Sequence, residues 1–137
     1  MKYYIATSLS NKRSHHLVRD GLNQLGYAIT HDWTLHENST FTSKEQLSEF
    51  AMNDLNGVAS ADVVIVLLPG GGGSHVEMGY ALGLGKKVLI HSEDPEVFGV
   101  NAKTKAFYHH PDVSSLTGPI KNLAKEIDAK VRSVATF

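Results

Sequence analysis

The chain has 137 residues, 42% of them hydrophobic, and a formal net charge of -1, a composition typical of ordinary globular proteins. Without a surplus of Lys and Arg, binding to nucleic acid through its phosphates is not expected. No apolar run is long enough to span a membrane, and the N-terminus lacks a signal-peptide pattern. The absence of cysteine excludes disulfides and thiolate metal sites and fits a cytoplasmic location. We therefore expect a single domain over residues 1–137, with no membrane partner.

Short apolar runs alternate with segments of helical periodicity along the chain. Gly26 marks the end of the first helix, and a capping box from Ser43 to Gln46 marks the start of the second. We predict a loop at Pro111–Thr117. The predicted strands are Lys2–Leu9, Tyr27–Thr30, Val63–Leu68, Val88–Ile90 and Ala106–His109. The predicted helices are Asn11–Leu25, Ser43–Ala59, a segment capped by Ser74 and ended by Gly83 and Gly85, and Pro119–Val131.

This alternation predicts an α/β fold, a flavodoxin- or Rossmann-like three-layer sandwich. We expect about five mostly parallel strands in the order 2-1-3-4-5. Ligands of such sheets bind beyond the C-terminal ends of the strands. The loops expected to meet at that edge are Thr7–Arg13, His31–Thr42, Pro69–His75 and His91–Asn101.

A glycine loop, Gly70–Gly73, separates the third strand from the third helix. Glycines before a helix let backbone N–H groups come close to a phosphate or a sugar. The loop lacks the Lys and Ser/Thr of a P-loop, and Val76 occupies the place of the last glycine of GxGxxG. Two interpretations therefore remain, a ligand-binding loop and a plain flexible turn.

Two acids are candidates for chemistry. Glu77 is predicted in the first turn of the third helix, where the helix dipole alone favours an acid. At a ligand-binding edge, a Glu is also a competent nucleophile at an anomeric carbon. Asp54, at the border of the apolar face of the second helix, is either a solvated acid or a partner that protonates a base or holds a sugar hydroxyl.

The eight histidines do not have metal-ligand spacing, since neither HxxxH nor HExxH occurs, and we expect no metal and no cofactor. His75, two residues before Glu77, is the histidine whose position points to function. Trp33 and Phe41 lie in the long second loop. An aromatic side chain there either stacks on a nucleobase or packs beneath the loop.

Several segments of the chain form a combination that points to a known family. They are Tyr4-Ile5-Ala6, Asp54, Ala61-Asp62-Val63-Val64 and Gly73-x-x-x-Glu77-Met78-Gly79-Tyr80-Ala81-x-Gly83-x-Gly85-Lys86. Together they resemble the nucleoside 2-deoxyribosyltransferase superfamily, over roughly residues 1–91. This superfamily includes the transferases, the 2′-deoxynucleoside 5′-phosphate N-hydrolases and the CMP N-glycosidases.

The resemblance implies an enzyme that acts on an N-glycosidic bond. Glu77 matches the nucleophile that attacks C1′, and Asp54 matches the acid that binds the sugar or assists departure of the base. Tyr4 matches a tyrosine that orients the nucleophile by a hydrogen bond. Sugar or phosphate contacts are implied for Ser8 and for the loop that contains Gly71, Gly73 and Ser74. Family members are oligomers in which a neighbouring subunit often completes the site.

We therefore expect a cytoplasmic homodimer or larger homo-oligomer that cleaves or exchanges the N-glycosidic bond of a nucleoside or nucleoside 5′-monophosphate. Trp33 and His75 complete the expected set of substrate-binding residues. Gly71 stands where relatives carry Asp or Ser, and His75 stands where they often carry Gly. These departures favour an alternative, a non-catalytic nucleotide-binding module on the same scaffold. A third interpretation is a glycohydrolase acting on NAD or another ADP-ribosyl compound.

Overall fold

The computed structural model describes residues 1–36 and 43–133, which form a five-stranded parallel sheet in the order β2-β1-β3-β4-β5. The predicted fold class and strand order are confirmed. In the described residues no helix is long and apolar enough to cross a membrane. The strands are β1 (Lys2–Ala6), β2 (Ala28–Ile29), β3 (Val63–Leu67), β4 (Lys87–Ser92) and β5 (Val113–Thr117). The α-helices are α1 (Lys12–Gln24), α2 (Lys44–Ser60), α3 (Gly72–Gly83) and α4 (Leu123–Arg132).

Both faces of the sheet are covered, because side chains alternate along each strand. On β1, Tyr3 points to one face and Tyr4 to the other, and both are fully buried. The face that packs against α1 and α4 includes Tyr3, Ile5, Val18, Leu22, Val63, Ile65, Leu67, Leu89, Leu123 and Ile127. The face that packs against α2 and α3 includes Tyr4, Ala6, Trp33, Val58, Val64, Val66, Met78, Ala81, Val88 and Ile90.

The helix ends agree with several sequence signals. Gly26 follows α1 with a φ of 91°, in the left-handed region that favours glycine, and Gly85 follows α3 with a φ of 75°. Ser43 caps α2, and its Oγ accepts the N–H of Gln46 at 3.1 Å. Of the predicted second loop, Phe41 lies outside the described residues.

Two predictions near the C-terminus are wrong. Ala106–His109 is a short 3-10 helix and not a strand, whereas the predicted loop contains the fifth strand, Val113–Thr117. The strand lies at the edge of the sheet and pairs with β4 alone, and its consecutive Ser114 and Ser115 point to opposite faces. Polar residues on both faces remove the alternation of apolar and polar positions on which the prediction of strands depended.

The third helix also begins earlier than predicted. It starts at Gly72 with Gly71 as its N-cap, so Ser74 is already its third residue. Glu77 consequently lies in the second turn and not in the first. Because the dipole effect falls off within the first turn, it explains little of why an acid occupies this position.

Gly57 allows α2 to lie directly over the end of β1. A Cβ at this position would stand 2.7 Å from the Cβ of His31 and 2.9 Å from Cδ2 of Tyr4. Its carbonyl oxygen accepts a hydrogen bond from Oγ1 of Thr30 at 2.6 Å, which fixes the helix against the β2 end. Helix α2, and with it Asp54, can therefore take this position because Gly57 has no side chain.

We predict that Gly57→Ala lowers the free energy of unfolding by about 1–3 kcal/mol, because the added methyl overpacks the core. Gly79→Ala is the matched control, since a Cβ there meets nothing within 4 Å. Alanine should stabilise α3 by about 0.5–1 kcal/mol at that position. Urea denaturation of both variants checks this; equal stability of Gly57→Ala and wild type would contradict it.

Candidate active site

A cavity of about 490 Å³ opens at the C-terminal edge of the sheet. Three of the four loops expected at this edge contribute to its lining. The fourth, after β4, lines a neighbouring cavity of about 250 Å³ instead. The lining of the first cavity comprises Thr7, Ser8, Leu9, Ser10, Trp33, Asp54, Gly71, Gly72, Gly73, Ser74 and Glu77.

Glu77 is held by the sheet beneath it. The hydroxyl of Tyr4 donates a hydrogen bond of 2.8 Å to Oε2 of Glu77, from β1 to α3. Burial raises the pKa of Glu77 to about 7, while the bond from Tyr4 acts in the opposite direction because it favours the carboxylate. Burial and the carboxylates nearby raise the pKa of Tyr4, so it stays a neutral donor. The protonated form of Glu77 is therefore favoured more than that of an exposed glutamate.

Asp54 is the second carboxyl group of the cavity. Burial raises its pKa, and the nearby His31 and His36 partly oppose that shift. Nε2 of His31 lies 3.2 Å from Oδ1 of Asp54, and both side chains are about a quarter exposed, at 22% and 27%. This distance fits an ion pair, but the contact lacks hydrogen-bond alignment, and Oδ1 has no other partner among the described residues.

Trp33 forms a wall of the cavity and is also part of the core. Its Nε1 donates a hydrogen bond of 2.8 Å to the carbonyl oxygen of Ile5, and the residue is 9% exposed. The buried ring of His15 packs edge-on against the indole, with ring centroids 5.2 Å apart. Burial lowers the pKa of His15 to about 4, so its ring is neutral. The indole thus packs beneath its loop and still presents a surface to the cavity.

The glycine loop forms another part of the cavity wall, and its backbone is not strained. Gly71, Gly72 and Gly73 have no positive φ, and a Cβ at any of them would meet no atom within 4 Å. Ser74 is buried, and its Oγ accepts the N–H of Gly71 at 3.1 Å, which fixes the start of α3. The first N–H groups of α3 have no partner within the helix and are available to a ligand.

Among the residues predicted to bind substrate, His75 is the one that does not belong to the described cavity lining. Its Nδ1 donates to the carbonyl oxygen of Gly71 at 2.9 Å, since that oxygen can only accept. Its Nε2 contacts the hydroxyl of Tyr108 at 2.8 Å, and the two rings stack at 5.8 Å. The side chain therefore braces the glycine loop from its outer side.

Thr7 and His31 of this region were not among the predicted site residues. Thr7 lines the cavity, and its Oγ1 donates to the carbonyl oxygen of Leu67 at 2.8 Å while accepting from Nδ2 of Asn11 at 3.0 Å. Its place directly after β1, at the expected ligand edge, was a usable signal. His31 was missed because its contact with Asp54 depends on the packing of α2, which no local pattern reports.

The cavity is acidic. Among the described lining residues, Asp54 and Glu77 are carboxylic acids and none is Lys or Arg. No group of three His, Asp or Glu side chains in residues 1–36 and 43–133 is arranged to hold a metal ion. A sugar with hydroxyl groups suits such a lining, and a phosphate would depend on the N–H groups at the start of α3.

Two solved structures share this architecture. The CMP N-glycosidase BcmB of Clostridium botulinum matches with a TM-score of 0.62 and 16% identity, over 95% of this chain and 99% of the other. The 2-deoxyribosyltransferase of Bacillus psychrosaccharolyticus matches with a TM-score of 0.67 and 19% identity, over 90% of each chain. At these identities the likeness concerns the fold alone. A search of curated proteins finds no significant match.

The sequence itself matches the family model described as "Nucleoside 2-deoxyribosyltransferase" over residues 3–113. The matched range runs from β1 to the first residue of β5, and it contains Tyr4, Asp54 and Glu77. Most of the chain is therefore covered by a single family description. The chain belongs to the nucleoside 2-deoxyribosyltransferase family, whose enzymes act at N-glycosidic bonds.

Proposed function

We propose that the protein cleaves or exchanges the N-glycosidic bond of a nucleoside or nucleoside 5′-monophosphate through a covalent glycosyl-Glu77 intermediate. The observation that carries this proposal is the hydrogen bond of 2.8 Å from Tyr4 to Glu77, in a cavity that Asp54 also lines. A buried carboxylate oriented by a donor, beside a carboxyl group whose pKa is raised, is the pair that glycoside chemistry requires.

In the first half-reaction, an oxygen of the Glu77 carboxylate attacks C1′ and the C1′–N bond breaks. Its electron pair goes to the base nitrogen, which takes a proton from the carboxyl group of Asp54. In the second, water or the N–H of another base attacks C1′, and Glu77 leaves as a carboxylate. The proton of the attacking group passes to Asp54. Tyr4 holds the attacking oxygen in place throughout.

Substrate contacts are assigned by position in the cavity. Trp33 offers a flat surface to a base, while Ser8, Ser74 and the backbone at Gly71 and Gly73 suit sugar hydroxyls or a 5′-phosphate. His75 would act indirectly, by holding the glycine loop in place, because it contacts that loop from outside the cavity lining. In this proposal, residues 1–137 form one domain, the reaction needs no cofactor, and the protein is cytoplasmic, as expected from the sequence.

Glu77→Gln should lower the rate of base release at least about 10³-fold, because an amide does not form the glycosyl intermediate. The assay uses purine and pyrimidine 2′-deoxynucleosides, their 5′-monophosphates, CMP and NAD, with and without a second base. Chromatography detects the released or exchanged base. Glu49→Gln, an exposed acid on α2, is the control and should keep wild-type activity.

The outcomes separate the alternatives. Wild-type protein that releases no base, or Glu77→Gln with full activity, would rule out the proposal. A nucleotide that raises the melting temperature without product would favour a binding module. Release of nicotinamide from NAD alone would favour the glycohydrolase.

The same substitution should stabilise the protein at alkaline pH. Because the pKa of Glu77 rises from 4.5 to about 7 on folding, its stabilising contribution is complete below pH 4.5 and is lost as pH rises through 7. Glutamine does not ionise and still accepts the bond from Tyr4. Denaturation at pH 5 and pH 8 should show the advantage of Glu77→Gln growing by about 2–3 kcal/mol. A constant difference would mean that Glu77 is not buried as described.

The glycines offer a test of substrate access. Gly73→Ala places a methyl on the cavity side of α3 without a clash in the protein, so it should reduce activity roughly tenfold or more while stabilising the helix. Gly79→Ala adds the same methyl to α3 away from the cavity and should leave activity unchanged. Initial rates and melting temperatures of both variants decide this. Equal activity of the two variants would show that the glycine does not make room for the substrate.

We also propose that the protein is a homodimer or larger homo-oligomer. Large apolar residues on the outer side of α2 and α3 are exposed: Leu47, Met52, Val76, Tyr80 and Leu84. Between these helices lies an apolar cleft of about 230 Å³, to which Asp54 and Glu77 also contribute. A second copy packed here would bury the exposed surface and close the active site at the same time.

Val76→Lys should convert the oligomer into monomers, since it places a charge on a side chain that is 63% exposed at the cleft. Leu17→Lys on α1, where the leucine is 47% exposed, is the matched control and should keep the wild-type mass. Light scattering coupled to size exclusion measures both. A monomeric wild type would be inconsistent with the proposed assembly.

A further inference from the structure

The glycine loop of the candidate active site receives little support from packing. A Cβ at Gly71, Gly72 or Gly73 would meet no heavy atom within 4 Å, so the space at these side-chain positions is open. Glycine also has more backbone freedom than any other residue. The loop therefore keeps its place beside the cavity because hydrogen bonds hold it, and those bonds meet at Gly71.

Both polar groups of the Gly71 backbone are bound by residues of α3. The N–H donates to Oγ of Ser74 at 3.1 Å. The carbonyl oxygen accepts two bonds from His75, one from its backbone N–H at 3.2 Å and one from Nδ1 at 2.9 Å. Ser74 is buried, whereas His75 is half-buried. The ring of His75 therefore stays over the loop only if a further partner restrains its rotation.

Tyr108 is that partner. Since Nδ1 of His75 carries the proton given to Gly71, Nε2 of the neutral ring is an acceptor, and the hydroxyl of Tyr108 donates to it at 2.8 Å. The two rings also stack, with centroids 5.8 Å apart. Tyr108 lies in the 3-10 helix Ala106–His109, is 6% exposed, and packs edge-on against Phe98. The glycine loop is thus connected through His75 to a buried phenol of the core.

This connection matters because the glycine loop and Glu77 line the same cavity. Gly73 and Glu77 are four residues apart on α3 and therefore lie on one face of it. In the proposed mechanism, C1′ has to reach the Glu77 carboxylate while hydroxyl groups of the sugar are bound at the loop. Displacing a bound sugar by about 1 Å costs roughly a hundredfold in rate. No residue after Glu77 belongs to the described lining of this cavity, so Tyr108 influences the sugar through His75.

Resting on the proposed function, we propose that Tyr108 is a positioning residue for glycosyl transfer, which acts through His75 to hold the glycine loop where the sugar is bound for attack by Glu77. The hydroxyl of Tyr108 does not contact the substrate and exchanges no proton with it. Its contribution to the rate therefore depends on the sugar hydroxyl that the loop binds.

Tyr108→Phe tests this inference, because it keeps the stacked ring and removes only the donor. It should lower kcat/KM for the nucleoside that wild type cleaves about tenfold, since the sugar is misplaced. Tyr27→Phe is the matched control. The hydroxyl of Tyr27 donates to Oδ1 of Asp128 at 2.8 Å on the opposite face of the sheet, so its loss should lower the melting temperature and leave kcat/KM unchanged. Rates are measured at a temperature at which the melting curves show every variant folded.

Two comparisons separate positioning from a structural role. In the His75→Ala background, Tyr108→Phe should lower kcat/KM by less than about twofold further, because the connection to the loop is already broken. The second comparison uses nucleosides that lack the 3′- or the 5′-hydroxyl. Loss of the hydroxyl that the loop binds should cost wild type about tenfold in kcat/KM and Tyr108→Phe less than about threefold, because the variant no longer places that hydroxyl well.

The outcomes distinguish this inference from the proposed function. Wild-type protein that releases no base would reject the proposed function, and the role of Tyr108 with it. If wild type is active and Tyr108→Phe matches it, the inference on Tyr108 alone fails. It also fails if the losses of His75→Ala and Tyr108→Phe multiply in the double variant, or if Tyr108→Phe loses equally on all three nucleosides. An equal loss of rate in Tyr27→Phe would show that the substitution weakens the fold and would overturn the inference too.

Discussion

The hydrogen bond between Tyr4 and Glu77 is the constraint on which the candidate active site depends. Burial disfavours the charged form of Glu77, and Tyr4 is the side chain among the described residues that donates to it. The donor cannot easily move away, because β1 is paired with β2 and β3 and the ring is fully buried. The rigid sheet thereby holds the carboxylate of Glu77, a residue of α3 that lies 73 positions after Tyr4 in the chain.

The two adjacent tyrosines of β1 make similar hydrogen bonds on opposite faces of the sheet, but to different kinds of partner. Tyr3 points to the opposite face, where its hydroxyl donates to Oδ1 of Asn23 at 2.7 Å, and burial raises its pKa. It thus ties α1 to the sheet in the same way that Tyr4 ties α3. The two hydroxyl groups bond to different helices, α1 for Tyr3 and α3 for Tyr4. Both phenols are neutral donors, but one of the two bonds ends on a carboxylate in a cavity.

The parts of the fold that follow from local pattern were predictable. A few neighbouring residues suffice to predict β3 from its apolar run, the start of α2 from the cap at Ser43, and the end of α1 from Gly26. Glu77, Asp54 and Tyr4 were predicted as site residues because they lie in three separate segments that resemble the family. What failed has two causes: local patterns that allow more than one interpretation, and contacts distant in sequence. The edge strand β5 carries serines, Gly71 replaced Ser74 as the cap of α3, and His75 turned toward Tyr108 instead of the cavity. The contact between His31 and Asp54 depends on how closely α2 approaches His31 and β1 at Gly57.

Trp33 gives the molecule a property that its neighbours do not share. It is the sole tryptophan of the chain, its Nε1 is bonded to the backbone of β1, and its ring forms part of the cavity wall. All indole emission therefore comes from one position, at the wall of the cavity and inside the core. Because one side of the indole is fixed by the core and the other faces the cavity, its fluorescence is an intrinsic reporter of what fills the cavity.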